Sequence, residues 1–85
     1  MSKELEVKVK FFASARQAVG EKDIDITIKT NSRVEDLMEI IYERYPELKE
    51  MEDHLLVSVN KDRSDKKDPL KDGDEIAVMP PVTGG

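Results

Sequence analysis

Asp23 to Pro46 reads DIDITIKTNSRVEDLMEIIYERYP, and its hydrophobic period changes midway. Ile24, Ile26 and Ile28 alternate with Asp25, Thr27 and Lys29, the period of two of a half-buried strand. Val34, Leu37, Met38, Ile41, Tyr42 and Tyr45 then recur at the spacing of an amphipathic helix. Ser32, with Glu35 three residues later, predicts a capping box at the helix start. Pro46 ends the helix, because the residue before a proline is pushed out of the α region. A strand followed at once by such a helix calls for a sheet covered on one face.

Upstream, Leu5, Val7, Val9 and Phe11 alternate with Glu6, Lys8 and Lys10, a first strand that can pair antiparallel with the second. Phe12 falls outside that alternation. Ala13 to Val19 is helix-permissive, and Gly20 stops it. Downstream, Glu47 to Asp53 reads as a polar connector carrying Leu48 and Met51. Leu55 to Val59 reads as a strand with Leu55, Val57 and Val59 on one face. Asn60 to Asp68 reads as a charged loop closed by Pro69. Asp72-Gly73-Asp74 marks a turn, Glu75 to Met79 a last strand, and Pro80-Pro81 its end. The order predicts an α+β domain over residues 1–79, with one main helix on one face of a mixed four- to five-stranded sheet. Residues 80–85 form a tail. The sheet's other face is left to solvent or to a partner.

The composition excludes more than it proposes. The 85 residues carry 14 basic and 19 acidic side chains, a net charge of −5. That balance lacks the footprint of a nucleic-acid binder and the basic excess that anionic membranes attract. No apolar run approaches the roughly 20 residues that cross a bilayer, and no secretory leader is apparent, so a cytoplasmic protein is expected. There is no cysteine and one histidine, His54, so thiolate catalysis, cysteine-bound zinc and iron–sulfur chemistry are out of reach. Asp62, Asp65 and Asp68 lack the spacing and terminal glutamate of an EF-hand loop, and Lys61, Arg63, Lys66 and Lys67 balance their charge. Gly20 and Gly73 are isolated and form no phosphate loop. No metal or bound cofactor is expected.

The C-terminus is different. Two terminal glycines, Gly84 and Gly85, arise by chance in roughly 0.5% of chains if each position is about 7% Gly. Without Cβ, such an end can thread a narrow channel and present its carboxylate on a slender stalk. From Pro80 to Gly85 that stalk spans about 20 Å when extended, and Pro80 and Pro81 stiffen its base.

Phe11-Phe12-Ala13, Arg16 and Val19-Gly20 resemble the opening of the small subunits of molybdopterin synthase. Val57-Ser58-Val59-Asn60 is similar to their third strand and turn. Leu70 to Gly85, ending Pro80-Pro81-Val82-Thr83-Gly84-Gly85, resembles their C-terminal signature. The resemblance implies a β-grasp, ubiquitin-like fold whose first and last strands run parallel at the centre of the sheet. It implies a sulfur carrier with no catalytic side chains of its own, the sulfur-donating part of a transferase complex. An ATP-dependent activating enzyme would adenylate the Gly85 carboxylate, and a sulfur donor would convert it to a thiocarboxylate. The large catalytic subunit would receive Val82, Thr83, Gly84 and Gly85 in its active site. There sulfur would pass to a pterin precursor, forming the dithiolene that holds molybdenum or tungsten.

By the same resemblance Phe12 and Met79 lie together on the helix-free face as a docking patch, with Pro80 and Pro81 at its margin. The family often has an aromatic residue where Met79 stands. Arg16 would serve either tail-adjacent docking or a surface ion pair. Two alternatives use the same activated terminus: a ubiquitin-like protein modifier and a sulfur carrier for tRNA thiolation. A plain β-grasp binding module with an inert tail is a third.

Overall fold

The computed structural model describes residues 3–81. Its sheet has five strands in the order β2-β1-β5-β3-β4: β1 (Glu4–Phe11), β2 (Asp23–Lys29), β3 (Leu56–Val59), β4 (Asp62–Arg63) and β5 (Glu75–Met79). β1 pairs antiparallel with β2 and parallel with β5, and β5 pairs antiparallel with β3. The first and last strands therefore sit side by side near the centre, as expected.

The period of two sorts the sheet's faces. Val7, Val9, Phe11, Ile26, Ile28, Ile76 and Val78 are buried on one face. Against them packs the main helix, α2 (Val34–Arg44), through Val34, Leu37, Met38 and Ile41. Each such side chain contributes roughly 1.5–3 kcal/mol by leaving water. Phe11 meets Tyr45 edge-to-face, with ring centroids 6.2 Å apart. A shorter helix, α1 (Ala13–Val19), links β1 to β2 and ends on Gly20, whose φ of 80° suits a residue without Cβ.

Three local expectations need correction. First, the helix cap lies one residue later. Ser32 is buried, and its carbonyl accepts the Leu70 N–H at 2.9 Å. Arg33 is the cap residue instead, and its N–H donates to the Asp36 carboxylate at 2.8 Å. The first helical amides, Val34 and Glu35, donate to the carbonyls of Asp68 and Lys66. The Asp36 carboxylate thus supplies the returning half of a capping box one residue later than expected, and a distant segment satisfies the first two helical amides.

Second, the expected connector is structured. Pro46 stops α2 but opens a one-turn helix, α3 (Pro46–Lys49), because its missing N–H costs nothing at a first helical position. Leu48 is fully buried there, and a 3₁₀ turn follows at Glu52–His54. β3 begins at Leu56 rather than Leu55.

Third, the expected charged loop contains a hairpin. Val59 pairs with Asp62, leaving Asn60 (φ 52°) and Lys61 (φ 74°) as its two central residues. Positive φ at both defines a type I′ turn. Asn60 belongs there. Its Nδ2 donates to the buried Asp74 carboxylate at 2.9 Å, and its Oδ1 accepts the Glu75 N–H at 3.0 Å, tying the hairpin to β5. Lys61 stands where glycine is usual and carries the left-handed penalty. Lys61→Gly should therefore stabilise the domain by about 1 kcal/mol, read as a higher urea midpoint with an unchanged slope. A lower midpoint would show that Lys61 holds its conformation without strain.

Candidate functional site

Residues that face away from α2 form the sheet's free surface, and their register shows two unlike halves. Across β2 and β1 it is charged: Asp25 opposes Lys8, Asp23 opposes Lys10, and Lys10 reaches Glu75 on β5 at 3.3 Å. Towards the end of β5 it becomes apolar. Ala77 lies between Lys10 and Ser58, and Met79 lies opposite Leu56. A central strand thus delivers the chain to an apolar corner just before Pro80 and Pro81.

Phe12 stands at the same corner. Phe11 pairs with Val78, and the Phe12 N–H donates to the Val78 carbonyl at 3.1 Å, so Phe12 comes level with the start of Met79. Its backbone is still extended, but Ala13 turns into the left-handed region at φ 51°. That turn ends the strand alternation and leaves Phe12 39% exposed, the one large apolar side chain so exposed among the described residues. Left-handed alanine costs about 1–2 kcal/mol.

Arg16 holds the turn. Its Nε donates to the Phe11 carbonyl at 3.1 Å, and its guanidinium carbon lies 6.0 Å from the centre of the Phe12 ring. A cation over an aromatic face is attracted to its quadrupole. Among the described residues Arg16 makes no ion pair; its partners are Phe11 and Phe12.

Phe12, Arg16, Met79, Pro80 and Pro81 thus gather at one end of the sheet, with Met79 and Pro80 half-buried and Pro81 exposed. Val82, Thr83, Gly84 and Gly85 lie outside the described residues. Leu56, outside the site expected from the sequence, also belongs to the corner. Its signal was present: it is the apolar residue on the face of β3 that Ser58 otherwise makes polar. Among the described residues no cluster of His, Asp or Glu is placed to hold a metal ion, and no helix is long and apolar enough to cross a membrane. The corner is an apolar surface from which Pro80 and Pro81 lead out of β5.

Residues 9–85 match the sequence profile of the ThiS family. The chain belongs to this family. Among its relatives, the molybdopterin synthase sulfur carrier subunit of Caenorhabditis briggsae is 36% identical over 81 residues, 93% of this chain and 96% of that protein. The protein of the same name from Chlamydomonas reinhardtii is 31% identical over 83 residues, 95% and 100% of the two chains.

Solved structures agree on the fold, a ubiquitin-like β-grasp. A putative molybdopterin converting factor, subunit 1, from Pyrococcus furiosus superposes with a TM-score of 0.79 at 31% identity, covering 92% of this chain and 99% of that one. The small archaeal modifier protein 1 of Methanosarcina acetivorans gives 0.82 at 28% identity, covering 99% and 100%. Subunit 1 of the molybdopterin-converting factor of Helicobacter pylori, solved in complex with subunit 2, gives 0.69 at 33% identity, covering 95% and 100%.

The two adjacent phenylalanines should respond oppositely to truncation. Phe11→Ala should cost about 3–5 kcal/mol, because it empties the core. Phe12→Ala should cost less than about 1 kcal/mol, because its ring is already partly in water. Urea unfolding of the two variants measures both, and equal losses would place Phe12 in the core.

Proposed function

We propose that this chain is the sulfur-carrying small subunit of a molybdopterin synthase. The observation that carries the reading is the match, over nearly both full lengths, to relatives bearing that name, in a chain that ends in Gly84-Gly85. In this reading the reactive group is the Gly85 carboxylate. A carboxylate is a poor electrophile. An adenylating enzyme joins it to the α-phosphate of ATP, releasing pyrophosphate and leaving a mixed anhydride. Sulfide delivered by a donor then attacks the carbonyl carbon, AMP departs, and a thiocarboxylate remains. Sulfur is a better nucleophile than oxygen towards carbon; once it has bonded to a pterin precursor, water cleaves the Gly85 acyl–sulfur bond, leaving the sulfur on the pterin and restoring the Gly85 carboxylate.

The rest of the domain holds and aims that end. Phe12, Leu56, Met79 and Pro80 supply an apolar footing for the large catalytic subunit, and the charged half of the free face sets its orientation. The complex of subunits 1 and 2 from Helicobacter pylori supports a partner of this kind. The likeness to a small archaeal modifier protein favours a second use of the same terminus, attack on the acyl-adenylate by a lysine amine to give an isopeptide.

With an adenylating enzyme, ATP and a sulfur source, the full chain should gain the mass of one oxygen-to-sulfur exchange at Gly85. A chain lacking Gly85 should fold normally and gain nothing. An unchanged mass, with an enzyme active on another carrier, would overturn the reading. Phe12→Ala should weaken binding of the large subunit by about tenfold or more, read by calorimetry with the unmodified chain. Lysine-linked Gly84-Gly85 remnants in cellular digests would establish the modifier use.

A further inference from the structure

A groove of about 860 Å³ lies between α2 and the sheet edge formed by β3 and β4, sharing only Leu56 with the apolar corner of the free face. Met38, Tyr42, Leu55 and Val57 line its interior. Tyr42, Leu55 and Val57 remain half-buried, so apolar surface here is not sealed by the fold.

The groove's charge is lopsided. Glu35, Glu39 and Glu43 line it from α2, four residues apart along one side of the helix, and Glu52 and Asp53 line it from the 3₁₀ turn. The basic lining residues come from elsewhere: Lys49 from α3, and Arg63 and Lys66 from β4 and the segment after it. Glu35 pairs with Lys67 at 3.3 Å. Among the described residues no ion pair engages Glu39, Glu43, Glu52 or Asp53. The Tyr42 hydroxyl responds to its surroundings: burial first, then the charges of Glu52 and Asp53, hold its pKa above the usual 10.0.

Exposed glutamates on a helix ordinarily face only solvent. Here they border unsealed apolar surface, and their spacing fits a particular ligand. Four residues of helix advance about 6 Å. Side chains on one side of an extended chain recur about every 6.6 Å. An extended segment with alternating basic and apolar residues would set successive cations against Glu39 and Glu43 while its apolar side chains enter the groove.

We propose that the groove between α2 and β3 docks an extended, basic amphipathic segment of a partner protein, with lysine or arginine facing Glu39 and Glu43 and apolar side chains against Met38, Tyr42 and Leu55. Leu56, which also lines the groove, is the cross-strand neighbour of Met79. A partner that holds the tail therefore has the groove within reach, around the edge of the sheet. The docking does not depend on what the tail carries, so its test stands apart from that of the tail chemistry.

The probe is a short synthetic peptide alternating lysine and valine, titrated into the full isotope-labelled chain and followed by amide chemical shifts. Shifts should concentrate on residues 38–43 and 55–57. Affinity should fall about tenfold in the double variant Glu39→Lys, Glu43→Lys, whose exposed positions leave the fold unchanged. Oligolysine of the same length should bind more weakly, because it lacks apolar side chains. Shifts confined to the free face, equal binding by oligolysine or by a glutamate–valine peptide, unchanged affinity in the double variant, or no binding at all would each overturn the proposal.

Discussion

The parallel pairing of β1 with β5 is the constraint on which the rest of the molecule depends. Phe11 must lie beside Val78 for Phe12, Met79 and the tail to meet at one end of the sheet. Parallel neighbours need a long crossover, and here nearly the whole chain between Phe11 and Glu75 provides it. α2 lies within that crossover and covers the sheet. The crossover that joins β1 to β5 thus also carries the helix that closes the core.

Several polar devices keep that pairing in register. The Lys8 N–H donates to the Asp74 carbonyl and the Gly73 N–H to the Glu6 carbonyl, at 3.0 and 2.8 Å. The Asp74 carboxylate accepts the Lys71 N–H at 2.8 Å and the Asn60 amide. Its side chain is buried, and every oxygen needs a partner to repay lost hydration. A one-residue slip of β5 would send Ile76 and Val78 to the free face and strand this carboxylate.

Regular patterns were legible in the sequence, and what depended on distant partners was not. The alternations of Leu5 to Phe11 and Ile24 to Ile28, and the helical spacing of Val34 to Tyr45, each report a face that must be buried. Gly20 and Gly73 announced their turns because both adopt positive φ. The start of α2 was misplaced because its first amides are satisfied by Lys66 and Asp68, which no local rule reaches. The hairpin at Asn60-Lys61 was hidden because lysine stands where glycine would have signalled it. Of the candidate site, Phe12 and Met79 stood out as apolar residues off the buried faces, whereas Leu56 was masked by neighbours serving the core. Arg16 is part of the family's opening motif, but its hold on Phe11 and Phe12 follows from a strained turn that composition does not record.

The tail leaves from an interior strand, and this has a mechanical consequence. A pull on Pro81, directed along β5, loads the ladders to β1 and β3 together. The bonds of both ladders run across the strand, so the force shears many at once instead of peeling them singly. A tail rooted on an edge strand such as β2 would unzip from one side. Tension applied at Pro81 is therefore shared between two strand ladders, and the body of the domain resists it as a unit.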